Sequence, residues 1–391
     1  MRAHQPEAPL RTLMGPGPLS IHPRVYQALT SPVIGHMDPA YLKVLDRIGE
    51  LLRMVFRTSN RVTNASPGSG TSGMEACVAN LIEPGDPVLV CVNGYFGDRI
   101  RQMVERQEAK VSLIEGEWGK PIDPDLVKKA FKNTRYKVIA LVHAETSTGV
   151  LQPMEEIARL AKEHGAMILL DTVTSLGGVD VKIDEWGVDA AYGCSQKCIG
   201  CTAGLSPVTF SDRAIEALTR RKHPVRSWYL DISLLDKYWG PGRVYHHTSS
   251  STLNYGLLEA LQIIEEEGLE ARIQRHTKNH KALVAGVEAM GLEMLVAPAH
   301  RLPSLNTVKI PQGIDDAKVR SYLLDVFNLE IGGGLGTLKG KVWRVGLMGY
   351  SSSVENIIFF LSAMGQALAA QGHKTDVSAG LSAAMSALKR V

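Results

Sequence analysis

The chain reads as an α/β protein with a mostly parallel sheet sandwiched by helices, and three features of the sequence predict it. Short apolar or β-branched runs recur at 87–94 (PVLVCVNG), 136–144 (YKVIALVHA), 166–173 (AMILLDTV), 190–195 (AAYGCS) and 205–210 (LSPVTF). Stretches of helical period lie between them, such as 154–165, where Met154, Ile157, Leu160 and Ala161 share one face. Strands of about five to eight mostly apolar residues separated by helices are the pattern of a parallel sheet covered on both faces.

From about residue 256 the texture changes. A long amphipathic segment, 257–291, is followed by shorter strand candidates at 302–311 and 340–349, which reads as a smaller α+β domain. The expected organisation is an N-terminal arm (1–18), a large domain (19–265), a small C-terminal domain (266–370) and a tail (371–391) holding one short Ala-rich helix.

Composition narrows the function. A chain of 391 residues with 45% hydrophobic and 21% charged content is long enough for two domains. A formal net charge of +3 gives no reason to expect nucleic acid as a partner, so a small-molecule substrate is expected. Five cysteines without a spaced framework fit a reduced protein, and no apolar signal or membrane segment is evident, so the expected setting is soluble and cytoplasmic.

Residues 68–73, G-S-G-T-S-G, open a helical stretch. Free N–H groups and the positive end of a helix dipole converge at such a start, which suits a phosphate. A dinucleotide site would further require a buried strand before the loop and an acidic residue ending the next strand. The preceding R-V-T-N-A-S-P is a poor buried strand and the next run ends in Asn93-Gly94, so a single-phosphate cup is favoured over a nicotinamide site or a plain turn.

Asp171 ends an apolar run and so is expected at the carboxyl edge of a strand, where open α/β sheets bind ligands; a helix-capping role is the alternative. Residues 194–201, C-S-Q-K-C-I-G-C, place Lys197 inside a C-x3-C-x2-C frame. An iron–sulfur or zinc site lacks other support in the chain, and cysteine is a common small buried residue. Cys198 and Cys201 form a C-x-x-C pair whose oxidation beside Lys197 is a candidate modulator of activity. A Schiff-base lysine, an aspartate that keeps a pyridine nitrogen protonated and a helix-terminal phosphate cup together make a pyridoxal phosphate site.

In order, M-G-P-G-P (14–18), H-A-E-T-S-T-G-V-L-Q-P (143–153), D-T-V-T-S-L-G-G (171–178), S-Q-K (195–197), Y-H-H-T (245–248) and the run 331–349 resemble the class V aminotransferases of fold type I. The resemblance is closest to the alanine–glyoxylate and serine–pyruvate group and covers nearly the whole chain. It implies a seven-stranded sheet in the large domain and pyridoxal 5'-phosphate as cofactor. Lys197 would be the Schiff-base lysine and proton shuttle, and Asp171 the partner of the ring nitrogen. Ser69, Gly70, Thr71 and Gln196 would hold the phosphate, Thr146 would lie near the ring hydroxyl and Phe96 would stack on the ring. Arg344 would bind the substrate carboxylate through two parallel hydrogen bonds. Tyr245 and Thr248 would reach the phosphate of a neighbouring subunit, implying an obligate homodimer with shared sites.

Two stretches depart from the family pattern: Thr202-Ala203 stands where a Pro-Pro pair is usual, and S-S-S-T (249–252) where an apolar, proline-containing stretch is expected. The expected reaction moves an amino group from alanine or serine to a 2-oxo acid, with glyoxylate favoured. Gly15 and Gly17 near the arm, with no second arginine evident, fit such short substrates. The alternative is a pyruvate-dependent enzyme with serine, aspartate, taurine or an aminophosphonate as donor. A cysteine desulfurase is disfavoured because every cysteine lies at or before Cys201.

Overall fold

The computed structural model describes residues 8–389, so the first seven residues of the expected arm and the last two of the tail lie outside the described residues. The central sheet comprises β1 (Val62–Pro67), β2 (Pro87–Val92), β3 (Lys110–Glu115), β4 (Val138–Val142), β5 (Met167–Asp171), β6 (Ala190–Tyr192) and β7 (Leu205–Phe210). They lie in the order β1-β7-β6-β5-β4-β2-β3. Strands β2 to β6 pair in parallel, while β7 runs antiparallel to both β6 and β1. All five apolar runs of the first half are strands.

Two strands escape a hydropathy reading. β1 is the stretch judged a poor buried strand, and residues 62–66 are in fact buried. Thr63, Asn64 and Ser66 point into protein despite their polarity; Thr63 Oγ1 and Thr209 Oγ1 of β7 hydrogen-bond at 2.8 Å. β3 is an edge strand with only Ile114 buried, so its sequence carries no apolar run.

The helices that cover the sheet include α1 (Pro39–Phe56), α2 (Gly70–Leu81), α3 (Tyr95–Arg106), α4 (Glu155–His164) and α5 (Ser251–Glu267). On one face α1, α4 and α5 bury Ile48, Leu52, Ile157, Leu160, Leu257 and Leu261. On the other, α2 and α3 bury Val78, Leu81, Ile100 and Val104. Every residue of β4 and β5 is buried between these layers. The carboxyl ends of β5 and β6 are thereby fixed from both sides.

Past Gly268 the chain builds a second apolar cluster from α6 (Leu269–Ala289), an antiparallel sheet of β8 (Leu305–Lys309), β9 (Gly332–Gly333) and β10 (Val342–Gly346), then α7 (Val354–Ala369) and α8 (Val377–Lys389). Trp343 and Val345 of the central strand β10 pack on Leu283, Val287, Leu361 and Met364. The N-terminal arm joins this unit: Thr12–Leu13 pairs in parallel with Leu329–Glu330, and Gly346 N–H donates to Met14 O at 2.7 Å. Among the described residues, no helix is long and apolar enough to cross a membrane.

The amino end of β5 is pinned by Asp189, 2% exposed, which accepts from Ile168 N–H at 2.9 Å, Ser211 Oγ at 2.9 Å and Arg213 Nε at 2.7 Å. Replacing it strands a buried backbone donor. Asp189→Ala is expected to cost about 2 kcal/mol, read as a lower urea midpoint with unchanged slope. An unchanged midpoint would mean that this anchor does not support β5.

Candidate active site

Asp171 closes β5 with its carboxyl inside the protein. Oδ2 accepts from Tyr192 Oη at 2.7 Å and Oδ1 from Val173 N–H at 2.8 Å. Burial pushes its pKa up to about 7, the two hydrogen bonds pull the other way, and the nearby Glu145 charge adds to the rise. The sequence missed Tyr192: it ends an apolar run on the neighbouring strand and reads as core, and only strand pairing places it opposite Asp171.

Lys197 lies in a π-helical turn, Ser195–Ile199, with φ −110° and ψ −135°, so the backbone kinks at this residue. Burial lowers its pKa, and the charge of Arg344 acts in the same direction. Its Nζ donates to Pro16 O, which brings the N-terminal arm into contact with the lysine. Gly17 has φ +100°, and a Cβ there would sit 2.3 Å from Nζ, so glycine is required by both conformation and space.

Arg344 stands on β10, 6% exposed, with Nε donating to Gly333 O at 2.8 Å and Nη1 to Thr146 O at 3.3 Å. Among the described residues no carboxylate pairs with it. Burial lowers its pKa to about 10, and Glu145 opposes that fall. The arm links it to Lys197: Pro16 packs on Gly332, whose position lies 3.6 Å from Arg344 Nη2 measured from a built Cβ. Gly15 is buried beside this contact, its carbonyl only 2.1 Å from where a Cβ on Gly346 would stand. Lys197, Arg344 and the Gly15–Gly17 turn are thus brought together.

Ser69 precedes α2 in extended conformation and makes no side-chain cap, leaving its hydroxyl and the first N–H groups of the helix available. Gly70 docks against Val173 and Cys194, since a Cβ would lie 3.0 and 3.1 Å from their side chains. The cup therefore adjoins both the Asp171 turn and the Lys197 turn. Gln196 Oε1 is buried without a hydrogen-bond partner, an amide free to turn a donor toward an anion. Thr146 is buried and hydrogen-bonded through Oγ1 to Thr174 Oγ1.

Phe96, half-buried, is the second residue of α3. Its backbone is held by Glu145, which sequence reading passed over: Oε2 accepts from Phe96 N–H and Gly97 N–H, both at 3.2 Å, and Oε1 from Ser147 N–H at 3.0 Å. Arg272 was also missed. It donates to Cys198 O at 2.7 Å and Gly177 O at 3.0 Å, tying the turn after Lys197 to α6. A charged residue inside a long amphipathic helix gives no sign of this.

Tyr245 and Thr248 do not touch these residues. Tyr245 is 58% exposed, its hydroxyl lies 3.5 Å from that of Thr248, and its ring packs on His36. The departing stretches have local tasks: Thr202 O accepts from Ser195 Oγ at 2.6 Å, and Ser250 caps α5 by accepting from Leu253 N–H at 3.3 Å. The cysteines are core residues. Cys194, Cys198 and Cys201 are buried, and burial pushes the Cys194 and Cys198 thiols up to about 12 and about 11 and raises Cys201. This corrects the expectation of an oxidisable C-x-x-C pair, because a buried neutral thiol is a poor nucleophile.

A parallel-stranded α/β layer with a buried aspartate, a lysine of lowered pKa and an uncapped helix start at one sheet edge defines a pyridoxal phosphate enzyme of fold type I. The donor set fits that cofactor, as the free Gln196 amide and the uncapped Ser69 show. The family model for class V aminotransferases matches residues 67–355, and the chain belongs to that family: it is a pyridoxal phosphate-dependent transaminase. It is 42% identical to alanine–glyoxylate aminotransferase of Drosophila melanogaster, over 95% of this chain and 96% of that protein. To (S)-ureidoglycine–glyoxylate transaminase of Bacillus subtilis it is 38% identical, over 95% and 93%. The crystal structure of alanine–glyoxylate aminotransferase from Nostoc sp. superposes with TM-score 0.93 at 49% identity, covering 94% of this chain and 98% of that one.

The raised pKa of Asp171 sets a sign for pH dependence. Between its ordinary 3.8 and about 7 the folded chain binds more proton at this group than the unfolded chain, so its contribution to stability falls as pH rises through that window. Urea unfolding of cofactor-free protein at several pH values is expected to show that fall, and Asp171→Asn should flatten it. A wild-type minus variant difference that does not vary with pH would refute the assignment.

Proposed function

We propose that the enzyme transfers the amino group of a small amino acid, alanine or serine, to glyoxylate in two half-reactions. The observation that carries this reading is the convergence of Lys197, with its lowered pKa, and the unpaired Arg344 guanidinium on the narrow turn Gly15–Gly17. Glycines at this approach keep side chains out of it, which supports a ligand made of a carboxylate and a short side chain. All three relatives named above carry glyoxylate in their names, which supports the acceptor more strongly than the donor.

Ser69, Gly70, Thr71 and Gln196 would hold the phosphate, Thr146 and Phe96 the ring, and Asp171 the ring nitrogen. When bound, pyridoxal phosphate supplies an electron sink that weakens bonds to the substrate α-carbon. Asp171, as a carboxylate, holds a proton at the pyridine nitrogen. Lys197, deprotonated more readily than an exposed lysine, takes the proton from the α-carbon and returns it in the second half-reaction. Arg344 fixes the substrate carboxylate through its fork, with Nε and Nη1 steadied by Gly333 O and Thr146 O.

We further infer that the large unit (19–265) carries the cofactor, the small unit (266–370) supplies the carboxylate ligand, and the tail packs as α8. Tyr245 and Thr248 serve the site of a second copy. An exposed surface bearing Trp228, Tyr229, Val244 and Tyr245 supports a homodimer. Five free cysteines support a reducing, cytoplasmic setting.

The test follows pyruvate and glycine formation from L-alanine and glyoxylate, with L-serine and (S)-ureidoglycine as rival donors and pyruvate as rival acceptor. Alanine or serine with glyoxylate should give the highest kcat/KM; a higher value for ureidoglycine or for pyruvate would overturn the assigned pair. Lys197→Ala should lower turnover by roughly a thousandfold or more while the cofactor still binds. Arg344→Lys should lower kcat/KM roughly tenfold to a hundredfold, because an ammonium cannot make two parallel bonds to a carboxylate.

A further inference from the structure

The proposed phosphate cup contains no formal charge. Ser69, Gly70 and Thr71 offer hydroxyls and backbone N–H groups, and Gln196 an amide. A phosphate ester carries close to two negative charges at neutral pH, whereas a helix start provides only about half a positive charge. The cup as so far described leaves most of that charge unanswered.

Arg99, on the second turn of α3, stands at its edge. Its Nη1 donates to Thr71 Oγ1 at 3.2 Å, and its guanidinium carbon lies 5.3 Å from the Tyr95 ring centre and 5.0 Å from that of Phe96. Among the described residues no carboxylate pairs with it. The adjacent Asp98 is engaged by Arg101 Nε and Gln102 Nε2, both at 2.7 Å. A half-buried cation whose polar partner is a hydroxyl of the cup, resting on two aromatic rings, is a charge without a structural ion pair. Its bond to Thr71 also sets that hydroxyl's direction: with a lone pair facing Arg99, the Thr71 proton is turned away and left to donate.

We propose that Arg99 is the cofactor-binding cation of the cup, meeting the phosphate charge directly and orienting Thr71 as a donor to it. The aromatic rings hold the guanidinium plane without neutralising it, a task for which lysine is less suited. Arg99 also joins the two ends of the cofactor site, since the Phe96 ring it touches is the one assigned to stack on the pyridine. The spacing of 28 residues between Thr71 and Arg99 conceals the pair in the sequence.

This assignment rests on the cup reading proposed above, and the experiment separates the two. Apoenzyme is titrated with pyridoxal 5'-phosphate and with pyridoxal, which has the ring but no phosphate, for the wild type, Arg99→Gln, Arg99→Lys and Thr71→Ala. Arg99→Gln should weaken pyridoxal phosphate roughly tenfold to a hundredfold and leave pyridoxal nearly unchanged, with Arg99→Lys recovering part of the loss. Equal loss for both ligands would show that Arg99 acts through Phe96 and would overturn the proposal. A reduced preference for the phosphate ester in Thr71→Ala but not in Arg99→Gln would overturn it while leaving the cup intact; no change in either would refute the cup itself. A measurement on unaltered apoenzyme guards against a variant that does not fold: inorganic phosphate should protect Arg99 from phenylglyoxal, mapped by mass spectrometry, and absence of protection would overturn the proposal.

Discussion

The site depends on charge that is buried without being paired. Asp171, Glu145, Lys197 and Arg344 crowd the carboxyl edge of the large sheet, and no two of them form an ion pair among the described residues. Burial of an ionisable group is unfavourable unless hydrogen bonds compensate it, and here the compensation is partial: Tyr192 and Val173 for Asp171, backbone N–H groups for Glu145, carbonyls for Arg344. The remainder appears as shifted proton affinities, Asp171 raised and Lys197 lowered. Strongly perturbed proton affinities gathered at one sheet edge mark a functional site, because structure alone gains nothing from leaving buried charge unanswered.

Rigid surroundings keep such groups from relaxing. β4 and β5 are buried throughout, so Asp171 cannot swing out to water. Lys197 is held by a kinked turn whose following carbonyl is gripped by Arg272 of α6, and its amine is met by Pro16 of the arm. Three distant parts of the chain therefore share the lysine: the arm, the turn between β6 and β7, and the helix that opens the second unit. The same sharing brings the arm against both Nζ and Arg344, since Gly15 and Gly17 permit its close approach.

Fold legibility followed burial. Strands covered on both faces were readable as apolar runs, whereas β1 was misjudged because Thr63, Asn64 and Ser66 are buried polar residues and β3 because an edge strand needs no apolar run. Within the site, Asp171 and Lys197 were visible because each ends or follows such a run. Tyr192, Glu145 and Arg272 were not, since an aromatic in a strand reads as core and an acid or arginine in a polar stretch reads as surface. The three crowded cysteines drew attention for chemistry and are packing residues, because spacing along the chain does not reveal whether a thiol reaches solvent.

The sequence by itself determined the α/β class and the family, and it set out the candidate glycine turn, aspartate and lysine in order, because these are carried by local hydropathy and by short motifs whose residues are neighbours in the chain. Only the tertiary structure decided which groups answer one another: Tyr192 with Asp171, Glu145 beneath Phe96, Pro16 on Lys197, Arg99 on Thr71. Those pairs are separated by between 21 and 181 residues. Contacts over such distances are set by strand order and helix packing, and the desolvation that shifts the proton affinities of Asp171 and Lys197 exists only once the chain has closed around them.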